Sequence, residues 1–260
     1  MCAAADQTAA PPLPDAGSVA GAVETLQRAA AASSVPPISV FQALRALEKA
    51  KLPSEGWAQA LGATPGGQRW RLVFTSGAKQ VQQRASAACV SILNQQLQHL
   101  QYRAPSSLAC MASVLRRPAQ ESSALALAGA MQVREAMKGV SEGGGQYFPL
   151  TAVQRWDRAA GTIENGVFLG HIAALKFSGP YAMVGKKLTF DFDTLSLKLG
   201  PLKFDFPLKK KVESYTPGPK DPFFLVFYVD NDVVAARGKG GGVAYWARTS
   251  PQWELERGIV

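Results

Sequence analysis

Two hydrophobic rhythms divide the chain. Over residues 17–32 and 39–51, apolar positions recur at steps of three and four, which predicts two helices. Pro36 and Pro37 separate them, because proline cannot continue a helix. In the second helix Val40, Ala43, Leu44 and Leu47 fall on one face, and Ser39 with Gln42 has capping-box spacing. A further short helical turn is expected within 53–61, and 62–67 is a loop by composition.

From residue 70 the period changes to two. Trp70, Leu72 and Phe74 share one face of a first strand at 70–75. Further strands are expected at 152–158, 162–164 and 167–169, with Asn165-Gly166 as a type I′ hairpin turn between the last two. Others follow at 171–177, 188–192, 195–199, 202–206, 223–230, 233–237 and 243–248, with 223–230 apolar on both faces. Short strands at such spacing indicate an antiparallel sandwich or barrel, and the lack of βαβ alternation argues against a doubly wound fold. One greasy and one polar face per strand fits a closed barrel with an apolar interior. A barrel of about eight strands either fills with side chains or holds one small ligand.

Residues 82–131 break this pattern. They are rich in Ala, Ser, Gln and Leu, and the repeated dipeptides Gln80-Val81 and Gln132-Val133 bracket them. They read as an in-frame insertion, either a retained intron or an ordinary, partly helical surface insertion. The organisation is then a leader at 1–37 with a helix at 17–32, a helical segment at 38–68 packing on the barrel, the interrupted barrel at 69–250, and a tail at 251–260. The leader is Ala-, Ser- and Pro-rich with few charges, like the end of a plastid-type targeting segment.

Composition narrows the function classes. With 47% hydrophobic and 18% charged residues, the chain is globular rather than disordered. The net charge of +9 is dispersed, and its densest cluster is Lys209-Lys210-Lys211. Such a cluster suits an anionic membrane surface, nucleic acid or a solvated loop. Cys2, Cys89 and Cys110 are odd in number and sparse, which fits a reducing compartment. His99 and His171 are too few for an ordinary zinc site, and His171 is expected in a pocket or the core. Asp230 with Asp232 reads as turn chemistry, and the glycine-rich 238–242 as a hairpin turn rather than a phosphate loop. No Ser/His/Asp or Cys/His constellation can be assembled and Gly-x-Ser-x-Gly is absent, so no catalysis, metal or cofactor is expected.

Several stretches, taken in order, resemble the plastid lipid-associated proteins, or fibrillins. Trp70-Arg-Leu-Val-Phe-Thr-Ser-Gly77 is similar to that family's opening strand, and Gln154-Arg-Trp-Asp157 to its second. Asn165-Gly166-Val, then 195–206, then Phe227-Tyr-Val-Asp230 through Arg237-Gly-Lys-Gly240 to Trp246-Ala-Arg248 follow in the family's order. The likeness covers 69–81 and 132–250. One departure is the opening Gly67-Gln-Arg-Trp70, which carries a residue more than the lipocalin-type Gly-x-Trp.

The resemblance implies a mainly β protein: a lipocalin-like antiparallel β-barrel with a helical N-terminal region, placed in the chloroplast on the stromal side. It implies non-catalytic binding of a lipid, prenylquinone or carotenoid at the thylakoid or plastoglobule surface. Trp70 with Arg237 or Arg248 would close the barrel, a guanidinium over an indole contributing about 0.5–2 kcal/mol. Phe74, Phe168, Phe190, Phe192, Phe204, Phe227 and Tyr245 are the expected inward aromatics, filling a core or, as the resemblance favours, lining a cavity. Lys209, Lys210 and Lys211 would face anionic lipid, at about 1 kcal/mol per basic residue. The rival is a filled barrel that docks as an assembly factor on a photosynthetic complex or a prenyl-lipid enzyme. Nucleic-acid binding is disfavoured, because the charge is dispersed and no reading module is present.

Overall fold

The computed structural model describes residues 18–62, 64–77, 145–210 and 214–259. The insertion at 82–131, most of the leader and Lys211 lie outside the described residues. The elements are α1 (Val19–Ala32), α2 (Pro37–Lys49), α3 (Trp57–Leu61), β1 (Gln68–Ser76), β2 (Gln146–Tyr147), β3 (Thr151–Asp157), β4 (Thr162–Leu169), β5 (Ala173–Val184), β6 (Lys187–Phe190), β7 (Thr194–Leu199), β8 (Leu202–Pro207), β9 (Phe223–Val229), β10 (Val233–Gly238), β11 (Val243–Arg248) and α4 (Pro251–Glu256).

Eight antiparallel strands close on themselves in the order β4-β3-β1-β11-β10-β9-β6-β5, with β5 pairing back to β4. Each barrel strand neighbours the next in the chain, so the wall is an up-and-down meander of the lipocalin-like kind. β5 is long and changes partner along one edge. Residues 181–184 pair with β6, and 173–178 pair with β7. β7 carries β8, which ends the sheet as a hairpin beyond the closed wall. Gly179 stands at this fork. A Cβ there would lie 2.2 Å from the Asp191 carbonyl oxygen and 2.9 Å from the Phe192 Cα, so only glycine lets the bend between β6 and β7 pass.

Three apolar clusters form among the described residues. The inner one joins Trp70, Trp156, Ile163, Leu188, Phe190, Val226, Val229, Val234, Ala236 and Trp246, with Trp57 and Leu61 of α3 covering it at one end. The second lies on the outer face, where α1 and α2 bury Ala22, Leu26, Ala29, Val40, Ala43, Leu44 and Leu47 against Phe74, Phe227, Val233, Ala235, Val243, Tyr245 and Ala247. The third, Val153, Phe168, Ala174 and Ile259 with Trp253 packed against it, lies beneath α4. β1, β10, β11 and the second half of β9 are therefore buried on both faces, which explains why 226–229 reads as apolar throughout, while Leu225 of the same run is exposed.

Four local expectations are corrected. Asn165-Gly166 is no turn. β4 runs straight through it, Asn165 pairing with Gln154 on one side and Phe177 on the other. The turns lie instead around Gly161 and Gly170, both with positive φ. At Gly166 an added Cβ would lie 2.6 Å from the edge of the Phe168 ring, which would have to move aside. Second, Phe74 does not share a face with Trp70 and Leu72. A bulge between Leu72 and Phe74 inserts Val73 and turns Phe74 outward. Third, α2 begins at Pro37 with Pro36 as its N-cap and no side-chain cap, so proline at the first turn replaces the expected box of Ser39 and Gln42. Fourth, the tail contains α4, capped by the Ser250 hydroxyl, which accepts from the Trp253 N–H at 3.2 Å.

Candidate functional site: the barrel interior

The inner wall is built on aromatic rings that touch in sequence. Trp70 and Trp156 lie 6.1 Å apart between centroids, and Trp156 and Trp246 also 6.1 Å. Trp246 meets Phe224 at 5.3 Å, Phe224 meets Phe190 at 5.2 Å, and Phe190 meets Phe192 at 5.3 Å. Phe177 follows at 5.6 Å from Phe192. This ladder runs from the end covered by α3 to the fork where β5 leaves β6. Pairs at such spacings add about 0.5–1.5 kcal/mol each beyond area burial.

At the α3 end the Trp70 indole N–H donates to the Leu61 carbonyl at 3.0 Å, fixing the helix against the barrel. The Arg248 guanidinium lies over the Trp70 ring at 5.8 Å. First and last strands are thereby joined by a cation–π contact as well as by their ladder, in which Trp70 faces Arg248. Arg237 takes no part in this closure. It reaches outward to Glu48 of α2, its Nε and Nη2 donating to the two carboxylate oxygens at 2.6 and 2.7 Å. The Arg237 hydrogen bonds hold the Glu48 carboxyl below its ordinary range and raise the Arg237 guanidinium in turn.

A polar row crosses this interior. Register places Arg248, Trp70, Gln154, Asn165 and Phe177 side by side on β11, β1, β3, β4 and β5. The Gln154 amide nitrogen donates to the Asn165 side-chain oxygen. Gln154 is 4% exposed and Trp156 is 1% exposed. Among the described residues, Gln154 Oε1, Trp156 Nε1 and Arg248 Nε are buried without a hydrogen-bond partner. Unpaired buried polar atoms cost about 1–3 kcal/mol each, so three on one wall call for a physical reason.

The seven aromatics expected inside divide unequally. Phe190 belongs to the inner cluster and Phe192 packs on it. Phe74, Phe227 and Tyr245 lie on the outer face beneath α1 and α2, and the Tyr245 hydroxyl donates to the Leu26 carbonyl at 3.3 Å. Burial pushes the Tyr245 phenol well above its ordinary value. Phe227 is turned out by a second bulge, which leaves it unmatched between Val226 and Tyr228 opposite β10. Phe168 faces the third cluster, and Phe204 is half-buried on β8, outside the closed wall.

Lys209 is not free. Its ammonium donates to both Asp191 oxygens at 2.7 and 2.8 Å, tying the loop to the bend after β6, while Lys210 is exposed. His171 is exposed in the turn before β5 rather than in a pocket or core. Asp230 accepts from the Asp232 and Val233 N–H groups at 2.7 and 2.6 Å and from the Tyr228 hydroxyl at 2.7 Å, the bonding of a turn.

The residues that sequence reasoning missed are Trp156, Trp246, Phe224, Gln154 and Asn165. A signal for one of them existed: if Arg248 turns inward to meet Trp70, Trp246 two residues earlier must turn inward too.

Two clefts lie on the outer wall and share Arg71. One, of about 200 Å³, lies between β1, the 148–152 segment and α4, and the other, of about 380 Å³, lies between α1 and the Asp232–Arg248 corner. Arg71 donates to the Ala30 carbonyl at the end of α1 and stacks at 5.4 Å on Trp253, and burial lowers its affinity for a proton.

A comparison of the chain with family models, with curated proteins and with solved structures finds no match. The likeness to the plastid lipid-associated family therefore rests on the motifs quoted above.

Proposed function

We propose that this protein is a non-catalytic binder of one apolar ligand, a lipid, prenylquinone or carotenoid, held inside the barrel. Its place of work in this reading is a plastid membrane surface, thylakoid or plastoglobule. The observation that carries the proposal is the inner wall. It is apolar and aromatic from Trp70 to Phe192, and it reaches the fork where β5 exchanges β6 for β7. There Phe177, Leu195 and Phe206 share a register row, and Leu175, Leu197 and Phe204 the next but one, extending the same apolar face beyond the closed wall. Apolar burial drives such binding at about 25 cal/mol per Å2 removed from water. The ligand class and the plastid setting come from the family resemblance. Exposed Lys210 supports a membrane-facing loop, with Lys209 holding its base to Asp191.

A second reading has an observation of its own. The aromatic ladder packs the barrel, and both clefts described above lie outside it. A filled barrel fits an assembly factor that docks on a photosynthetic complex or a prenyl-lipid enzyme. One experiment separates the two: purification from native plastids, followed by mass spectrometry of what organic solvent releases. A stoichiometric prenylquinone, carotenoid or glycerolipid is expected. An empty barrel with partner proteins in constant ratio would overturn the ligand reading in favour of assembly.

A further inference from the structure

We infer that the polar row inside the barrel receives a hydroxyl group, so that the ligand is an apolar alcohol bound head-first toward the α3 end. This rests on the ligand-binding reading above and gives the ligand's chemistry.

The three unpaired atoms define what would complete them. Trp156 Nε1 and Arg248 Nε are donors, and Gln154 Oε1 is an acceptor. A hydroxyl oxygen accepts two hydrogen bonds and donates one, which matches that set. A hydrocarbon end supplies none of the three. A carboxylate only accepts, so it would leave Gln154 Oε1 unpaired beside a negative charge. The residues that carry these atoms are neighbours on the wall. Gln154 and Arg248 flank Trp70 in the register, and Trp156 lies two residues along β3 from Gln154 with its ring 6.1 Å from that of Trp70. The Gln154 amide is held from behind by Asn165, which fixes its oxygen as the free end. Its surroundings are apolar: Ile163, Leu72 and the tryptophan rings belong to or pack on the same cluster. In such surroundings an unmet hydrogen bond costs most, and discrimination between alcohol and hydrocarbon is greatest.

The test compares 1-dodecanol, dodecane and dodecanoate as competitors of a fluorescent apolar dye on the full-length protein. Dodecanol is expected to bind at least about ten-fold more tightly than dodecane, with dodecanoate weaker than the alcohol. In Gln154→Leu and, separately, in Trp156→Phe, which keeps a ring in place, the ratio between alcohol and hydrocarbon should fall toward one. Near-ultraviolet circular dichroism checks that each variant keeps its packed core. Equal binding of dodecanol and dodecane, or a preference for dodecanoate, overturns the hydroxyl assignment while leaving the barrel a binder. Failure of all three to displace the dye overturns the ligand reading itself.

Discussion

Replacing Phe74 by alanine tests the face assignment on which the site description depends. The side chain is fully buried, yet it lies outside the barrel, meeting Tyr147 edge-on at 5.9 Å and Tyr245 at 6.3 Å. Both tyrosines tie the helices down: Tyr147 donates to the Val35 carbonyl at 2.7 Å and Tyr245 to that of Leu26 at 3.3 Å. Truncation removes a ring from a closed cluster whose neighbours are held by backbone bonds and cannot collapse freely. The cost should sit in the usual range for Phe→Ala, about 3–5 kcal/mol. For a domain of this size that corresponds to a fall of very roughly 6–20 °C in Tm. Urea unfolding followed by tryptophan emission measures the loss, since Trp70, Trp156 and Trp246 report on the inner cluster. Binding of an apolar dye by the folded variant should stay as in the parent chain, because the new void opens toward α1 and α2. A loss below about 1 kcal/mol, or a clear gain in dye capacity inside the barrel, would refute the outward placement of Phe74 and the bulge at Val73 with it.

Other substitutions address the remaining contacts. Glu48 has a lowered folded value, so its bond to Arg237 contributes stability fully above the unfolded value of about 4.5 and loses it as pH falls through the lowered one. Glu48→Gln should cost about 1 kcal/mol at neutral pH and flatten the acid limb of stability below pH 4.5; identical acid limbs would show the pair to be idle. Gly179→Ala should lower the urea midpoint by about 1–3 kcal/mol equivalent, because the added methyl meets the 191–192 backbone rather than a movable side chain; a neutral result would mean that β5 does not pass so close to the bend. Neutralising Lys209, Lys210 and Lys211 together should weaken adsorption to vesicles containing anionic lipid, by about 1 kcal/mol for each residue near the surface; unchanged binding would remove the membrane role of that loop.

The architecture was legible because its signals are local. The shift from period-four to period-two spacing near residue 70 marks where helices give way to strands, and the Gly-Pro punctuation marks most of the turns. What could not be read was the facing of residues in strands buried on both sides. In Val243–Arg248 the sequence offers no polar residue to mark an outside until Arg248, and that arginine points inward. Alternation along the strand puts Tyr245 inside and leaves Trp246 unmarked, although α1 claims the first and the barrel the second. The two bulges compounded this, since each shifts the alternation by one residue without any mark in composition. Asn165-Gly166 misled for a third reason. Its turn propensity is overridden by a strand that pairs on both edges, and the glycine lies against the Phe168 ring instead.

The division between the two faces bears on how the site works. On the outer face, Glu48 is matched by Arg237, and the Tyr147 and Tyr245 hydroxyls are matched by the Val35 and Leu26 carbonyls. The three unpaired buried atoms of the described residues belong to β3 and β11, the two strands that flank Trp70 on β1, and Arg248 among them is also the closure partner of Trp70. In the ligand-binding reading proposed above, these departures from local satisfaction are what the wall offers a ligand, because a site complete in itself has nothing to offer. Stability can then be supplied from outside the wall, by Phe74, Leu26, Leu44 and their neighbours, while the inner face keeps its unmet donors and acceptor. A core residue of the outer cluster and a polar residue of the inner row should therefore separate experimentally: the first moves the unfolding midpoint, the second moves ligand preference.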